Sequence, residues 1–161
     1  MLLKDLDIIK IAVTIEEAGM VFYGAAAEAV ENEEIRGVFT ALKGAEIKHR
    51  ETFLRMRNED ASVRPHFGFR QAPEVDAYVR ELIRINVFGS PSAARLLARE
   101  KTLPEALELG IRAERDAILF YSALKEVAEG ADIQSLLDRL IAEERKHLIT
   151  LSEIRVKHAR R

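Results

Sequence analysis

Apolar residues return every three or four positions through most of this chain, the period of a helix that buries one face. Ile8, Ile11, Ile15, Phe22 and Ala26 form one such stripe and predict a helix from about Asp5 to Val30. A turn near Glu31 and Asn32 follows. Ile35, Val38, Phe39, Leu42, Ile47 and Leu54 then predict a second helix from about Glu33 to Arg57, which closes a hairpin. Residues 58–103 differ in kind, since three of the four prolines fall there, and they read as a crossover. Within it, one short helix is expected from near Pro73 to about Phe88. Another should have Ser90 as N-cap, Pro91 in its first turn and an end near Arg99. Pro104 suits the first turn of a third long helix reaching about Glu129; Gly130 breaks it, and Asp132 is the expected N-cap of a fourth. That last helix carries Leu136, Leu137, Leu140, Ile141, Leu148 and Leu151.

No convincing period-two strand interrupts this pattern, and Ala, Leu, Glu, Lys and Arg favour helix, so the expected class is all-α. A chain of 161 residues can bury one sizeable core. The expectation is a single domain over 1–161: hairpin one at about 5–57, the crossover at about 58–103, hairpin two at about 104–158.

The two hairpins are copies of one another. Residues 6–57 align without a gap on 104–155, an offset of 98, matching Phe22 with Phe120, Tyr23 with Tyr121 and Ala25 with Ala123. Two copies with a long connection are an internal duplication and not a solenoid.

Composition then excludes several chemistries. The chain has no cysteine, which removes disulfides, thiolate catalysis and cysteine-bound zinc or iron–sulfur centres, so any metal must be held by oxygen and imidazole. A net charge of −2 gives no global field favouring nucleic acid or an anionic membrane. The longest nearly apolar run, Met20 to Ala27, is short of a membrane span, and the N-terminal residues do not read as a secretory signal. A cytoplasmic protein is expected.

The duplication carries the chemistry. Glu46-x-x-His49 returns as Glu144-x-x-His147, and Glu16 returns as Glu114. Positions three apart share a helix side, so each Glu-x-x-His pair can address one point. Partners across an antiparallel hairpin lie equally far from the turn, and Glu16 and Glu46 are each 15 residues from position 31, as Glu114 and Glu144 are from position 129. Face to face, the hairpins would bring together four carboxylates and two imidazoles, a set suited to two divalent cations in a helical bundle. Carboxylate with imidazole suits iron or manganese, and zinc also accepts such ligands. A lone Glu-x-x-His is usually a solvated helix face, and the registered copy is what singles this one out. Glu17 aligns with Arg115 and Glu143 with Ala45, which places both outside the ligand set. Tyr23 and Tyr121, seven residues after Glu16 and Glu114, are candidates for hydrogen bonds to the ligating carboxylates or for plain core filling. His66 and His158 read as exposed bystanders.

The stretch Ile15-Glu16-Glu17-Ala18-Gly19-Met20-Val21-Phe22-Tyr23-Gly24-Ala25-Ala26, with the two Glu-x-x-His pairs and Glu114 to Tyr121, resembles the rubrerythrin-like branch of the ferritin-like superfamily. The likeness covers both hairpins and implies a four-helix bundle with a non-haem di-iron centre that reacts with peroxide or oxygen. It makes Glu16 and Glu114 outer ligands, Glu46 and Glu144 bridging ligands, and His49 and His147 one ligand per ion. Full-length rubrerythrins carry a cysteine-ligated rubredoxin module; without cysteine this chain would need a separate electron-donor protein. Many also have an extra carboxylate where this chain has Ala117, which points to a symmetric six-ligand site. The expected protein is an oxidoreductase acting as a homodimer. Iron storage or ferroxidase action without redox turnover, and a metal-stabilised scaffold, are the alternatives.

Overall fold

The structure, a computed structural model, describes residues 5–58, 68–86, 90–91, 94–95 and 102–159. Four long helices dominate it: α1 (Asp5–Ala29), α2 (Glu33–Asn58), α4 (Leu103–Val127) and α5 (Ala131–Ala159), with the shorter α3 (Pro73–Ile85) in the crossover. The all-α expectation holds, and α1 packs on α2 and α4 on α5 as two hairpins.

Local chemistry explains the helix ends. Asn32 caps α2 by accepting the Ile35 backbone N–H at 3.1 Å, and the Arg36 guanidinium donates to the Val30 carbonyl at 2.8 Å. Thr102 opens α4, where the Glu105 carboxylate returns to the Thr102 backbone N–H at 2.9 Å, with Pro104 in the first turn. Three boundaries differ from the sequence reading. The third long helix stops at Val127, because Ala128 and Glu129 pair antiparallel with Phe69 and Gly68, and the Arg70 N–H reaches the Val127 carbonyl at 2.7 Å. This two-residue ladder ties the crossover to the second hairpin's turn. The fourth helix begins at Ala131, so Asp132 lies in its first turn; Gly130, at φ 110°, makes the reversal that other residues rarely adopt. In the crossover, α3 ends at Ile85 and Phe88 lies outside the described residues. Pro91, Ala94 and Arg95 are helical, while Arg99 lies outside the described residues.

The core is divided in two. One cluster takes Ile8 to Val13 from α1, Phe53 from α2, Phe120 to Leu124 from α4 and Ile133 to Ile141 from α5, capped by Val79 and Leu82 of α3. The other takes Phe22 and Ala26, Ile35 to Leu42, Ala106 to Ile111, and Leu151. Every long helix therefore runs from one apolar cluster to the other. The chain passes from the first cluster to the second along α1 and α5, and back along α2 and α4. Consequently α2 ends at the opposite end of the bundle from the start of α4, and the crossover must travel its length, with α3 at one end and Ala94 at the other.

Candidate metal centre

Between the two clusters lies a layer of buried polar side chains. Glu16 falls between Val13 and Ala18 on α1, Glu114 between Ile111 and Ala117 on α4, and Glu46 and Glu144 occupy the corresponding steps of α2 and α5. All four carboxylates and His49 are buried, and the His147 side chain is 16 % exposed. Four isolated carboxylates would be costly in such surroundings unless protons, partners or cations offset their charge.

The six predicted residues meet at one place. Glu16, Glu46, His49 and Glu144 each offer an atom within 4.8 Å of the others, and so do Glu46, Glu114, Glu144 and His147. Glu46 and Glu144 belong to both groups. His49 Nδ1 lies 3.0 Å from Glu144 Oε1, 3.5 Å from Glu16 Oε2 and 3.8 Å from Glu46 Oε2. His147 Nδ1 lies 2.8 Å from Glu144 Oε2 and 3.6 Å from Glu114 Oε2. The two imidazoles face each other, ring centres 6.1 Å apart. Among the described residues, Glu16 Oε1 and Oε2, His49 Nδ1 and Glu144 Oε1 are buried without a hydrogen-bond partner. Unpartnered oxygens and an imidazole nitrogen converging on two overlapping points fit a pair of cations, which would supply what the protein does not.

Protons take that role in the bare protein. Burial, with the charges of Glu144 and Glu114, pushes the Glu16 carboxyl well above its ordinary range; burial and then Glu16 do the same to Glu46. Burial raises Glu114 to about 7 against the lowering contact with His147. Burial also pushes Glu144 upward, but His147 and His49 outweigh it and hold that carboxyl at about 2. Both imidazoles resist the effect of burial: Glu144 and Glu143 hold His49 at about 9, and Glu114 and Glu144 hold His147 at about 10.

The two halves are not equivalent in their supporting contacts. Tyr23 donates its hydroxyl hydrogen bond to Glu114 Oε1. The Tyr121 hydroxyl, its copy, is buried and finds no partner among the described residues, while its ring stacks on Phe53 at 5.7 Å. So the hydrogen bond considered for both tyrosines is present for Tyr23 alone. Glu17 pairs with Arg50 at 2.7 Å, bracing α1 against α2 beside the site. His158 is half-buried near the end of α5, and His66 lies outside the described residues.

Glu143 is the residue that sequence reasoning passed over. Its Oε2 lies 2.8 Å from His49 Nε2, which, once the ring gives up its second proton, keeps the remaining one on Nε2 and leaves Nδ1 free to face the cluster. The signal was present in its position beside Glu144, but a symmetry criterion discards a partner whose copy is Ala45. A Glu143→Ala chain should bind one of two ions about 10–100-fold more weakly and the other normally. Titration with a competing chelator would show this as two separated binding steps, and a uniform weakening of both ions would count against it.

Gly19 is the second such residue. A methyl group there would stand 3.1 Å from Glu46 Cδ and 3.3 Å from Glu46 Oε1. Gly19→Ala should improve intrinsic helix propensity by about 1 kcal/mol yet displace Glu46. The expected outcome is at least ~10-fold weaker metal binding in a folded chain, read by chelator competition beside circular dichroism.

Comparison with known proteins agrees with this geometry. The chain is similar over 98 % of its length, and over 97 % of the other's, to the crystal structure of a candidate ferritin-like diiron-carboxylate protein from Thermotoga maritima, at 27 % identity and a TM-score of 0.71. No curated protein sequence matches it significantly. The rubrerythrin family model matches residues 7–88, just over half of the 161 residues, spanning the first hairpin and α3. The fold is that of a ferritin-like four-helix bundle, and its buried carboxylate–histidine cluster fits di-iron binding. By that family match, joined to the bundle and the cluster it encloses, the chain belongs to the rubrerythrin family.

Proposed function

We propose that this chain is a di-iron carboxylate oxidoreductase that reduces peroxide or dioxygen and is itself reduced by a separate donor protein. The observation that carries the reading is the pair of overlapping four-residue groups sharing Glu46 and Glu144. On this reading Glu46 and Glu144, common to both groups, would serve both ions, Glu16 and Glu114 would each help hold one, and His49 and His147 would each complete the donor set of one. A ferrous pair held there would supply the two electrons that, with two protons, convert hydrogen peroxide to two waters.

The chain's own residues set the conditions for that chemistry. The apolar clusters on either side exclude bulk water from the carboxylate layer. Tyr23 fixes the orientation of Glu114, and Glu143 fixes the tautomer of His49. With no cysteine, these 161 residues hold no cysteine-ligated iron centre that could relay electrons to the site, in keeping with a separate donor. Anaerobically prepared protein loaded with two ferrous ions and mixed with hydrogen peroxide should show a rapid rise in near-ultraviolet absorbance. Loaded protein that stays colourless through mixing would mark it as a holding site or a scaffold.

A further inference from the structure

Resting on that reading, we infer that the oxidant reaches the carboxylates through a groove between α1 and the end of α3, and that Ile15 and Asn86 form the partition that sets its size. Two spaces meet there. The outer one, about 340 Å³, is walled by Ile11, Ile15 and Ala18 of α1 and by Ile83 and Asn86. The inner one, about 20 Å³, lies against Glu16, Glu46 and Glu114. Ile15 and Asn86 line both. Among the described residues, these two are the ones common to the linings of the groove and of the space beside the ligands.

The inner space is kept open by small residues at equivalent places in the two repeats: Gly19 and Ala117, offset by 98, both face it. A buried water requires roughly 10–15 Å³ of such volume, so the inner space takes one molecule about the size of water, dioxygen or hydrogen peroxide. Asn86 is placed by the end of α3, where the helix terminates and the backbone turns to ψ 130°. It gives the partition one polar side chain opposite the aliphatic Ile15.

The groove suits a neutral solute better than a cation. Its walls are mainly aliphatic, and Lys10 stands on its rim. A metal ion has a more favourable approach on the histidine side, where the Glu143 side chain is 52 % exposed and touches His49. Oxidant and metal therefore use different faces, which separates this proposal from a general effect on the site.

The test compares Asn86→Ala and Ile15→Ala, which widen the partition, with Asn86→Leu and Ile15→Phe, which narrow it. Each ferrous-loaded variant is mixed with hydrogen peroxide and with tert-butyl hydroperoxide, which is cleaved in the same way to tert-butanol and water. Ferrous uptake is timed separately. The widened variants should raise the tert-butyl hydroperoxide rate at least ~10-fold relative to that for hydrogen peroxide, and the narrowed ones should slow both oxidants, with uptake of iron unchanged throughout. A size preference that no variant moves, or iron uptake that slows in step with oxidation, overturns the route. If the loaded protein reacts with neither hydrogen peroxide nor dioxygen, the proposed function falls; association of nitric oxide with the ferrous ions then reads the route in the same variants, and equal rates overturn it. A chain that takes up no ferrous iron overturns both.

Discussion

A chain carrying both Glu46→Gln and Glu144→Gln should fold and hold neither ion. These are the two carboxylates common to both ligand groups, so replacing them weakens both points at once, whereas Glu16 or Glu114 belongs to one group alone. The amide keeps the shape of the side chain and its oxygen but removes the charge that hard cations require. Losing the charge at Glu46 costs the metal-free fold little, since burial already pushes that carboxyl towards its neutral form. At Glu144 the case is different, because that carboxyl is held at about 2 by two imidazoliums. Without it the histidines lose one close counter-charge but keep others, Glu143 beside His49 and Glu114 beside His147, so neither is left as a buried unpaired charge. The loss in affinity should exceed the ~10–100-fold typical of removing a supporting residue. Elemental analysis after loading, with circular dichroism as the control for folding, gives the answer, and two irons per chain in the double variant would refute the assignment of these ligands.

The bundle and the meeting of its six polar residues were legible in the sequence for one physical reason: duplication repeats the pattern, and a hairpin converts distance from the turn into height in the bundle. Glu16 and Glu46, each 15 residues from position 31, had to lie level if a hairpin formed there at all. What was not legible depends on contacts that the repeat does not share. Ala128 and Glu129 leave the helix because the crossover pairs with them, a contact between segments that no local propensity reports. Glu143 was passed over because its copy is Ala45, and the two tyrosines, identical in pattern and each stacked on a phenylalanine, differ in that the Tyr23 hydroxyl meets Glu114 while that of Tyr121 finds no partner among the described residues. Asn86 had no signal, being an ordinary residue near the expected end of a short helix. Its place beside the carboxylates follows from how far α3 runs before it stops. Periodicity thus locates the ligands, and the asymmetry around them has to be seen in three dimensions.

Removing the metal should make stability strongly dependent on pH, and restoring it should abolish most of that dependence. In the metal-free protein His49 and His147 titrate at about 9 and about 10, above their ordinary value of about 6.5. Groups raised in this way contribute stability that is complete below the ordinary value and is lost as pH rises through the raised one. Glu16 and Glu46, pushed above the ordinary carboxylate range, act in the same direction, and Glu114 does so with its contribution lost as pH rises from the ordinary carboxylate value to about 7. Glu144 alone has the opposite sign: held at about 2, it contributes above the ordinary carboxylate value and loses that contribution as pH falls towards 2. The melting temperature of the metal-free chain should therefore peak in mildly acidic solution and fall by roughly 5–10 °C between pH 6 and pH 9, using about 2–4 °C per kcal/mol for a chain of this size. Bound cations replace the protons as counter-charge. Because ligands must shed their protons to bind, loading at pH 7 should release at least the two carried by His49 and His147. Free metal at about a thousand times its dissociation constant contributes about 4 kcal/mol, so the loaded chain should melt roughly 8–16 °C higher at neutral pH, with the gap widening on the alkaline side. Differential scanning calorimetry across that range, with proton release followed by an indicator dye in weak buffer, reads both effects. Coincident melting curves with and without ferrous ions at every pH would show that the carboxylate layer is balanced by its own protons alone and binds no cation.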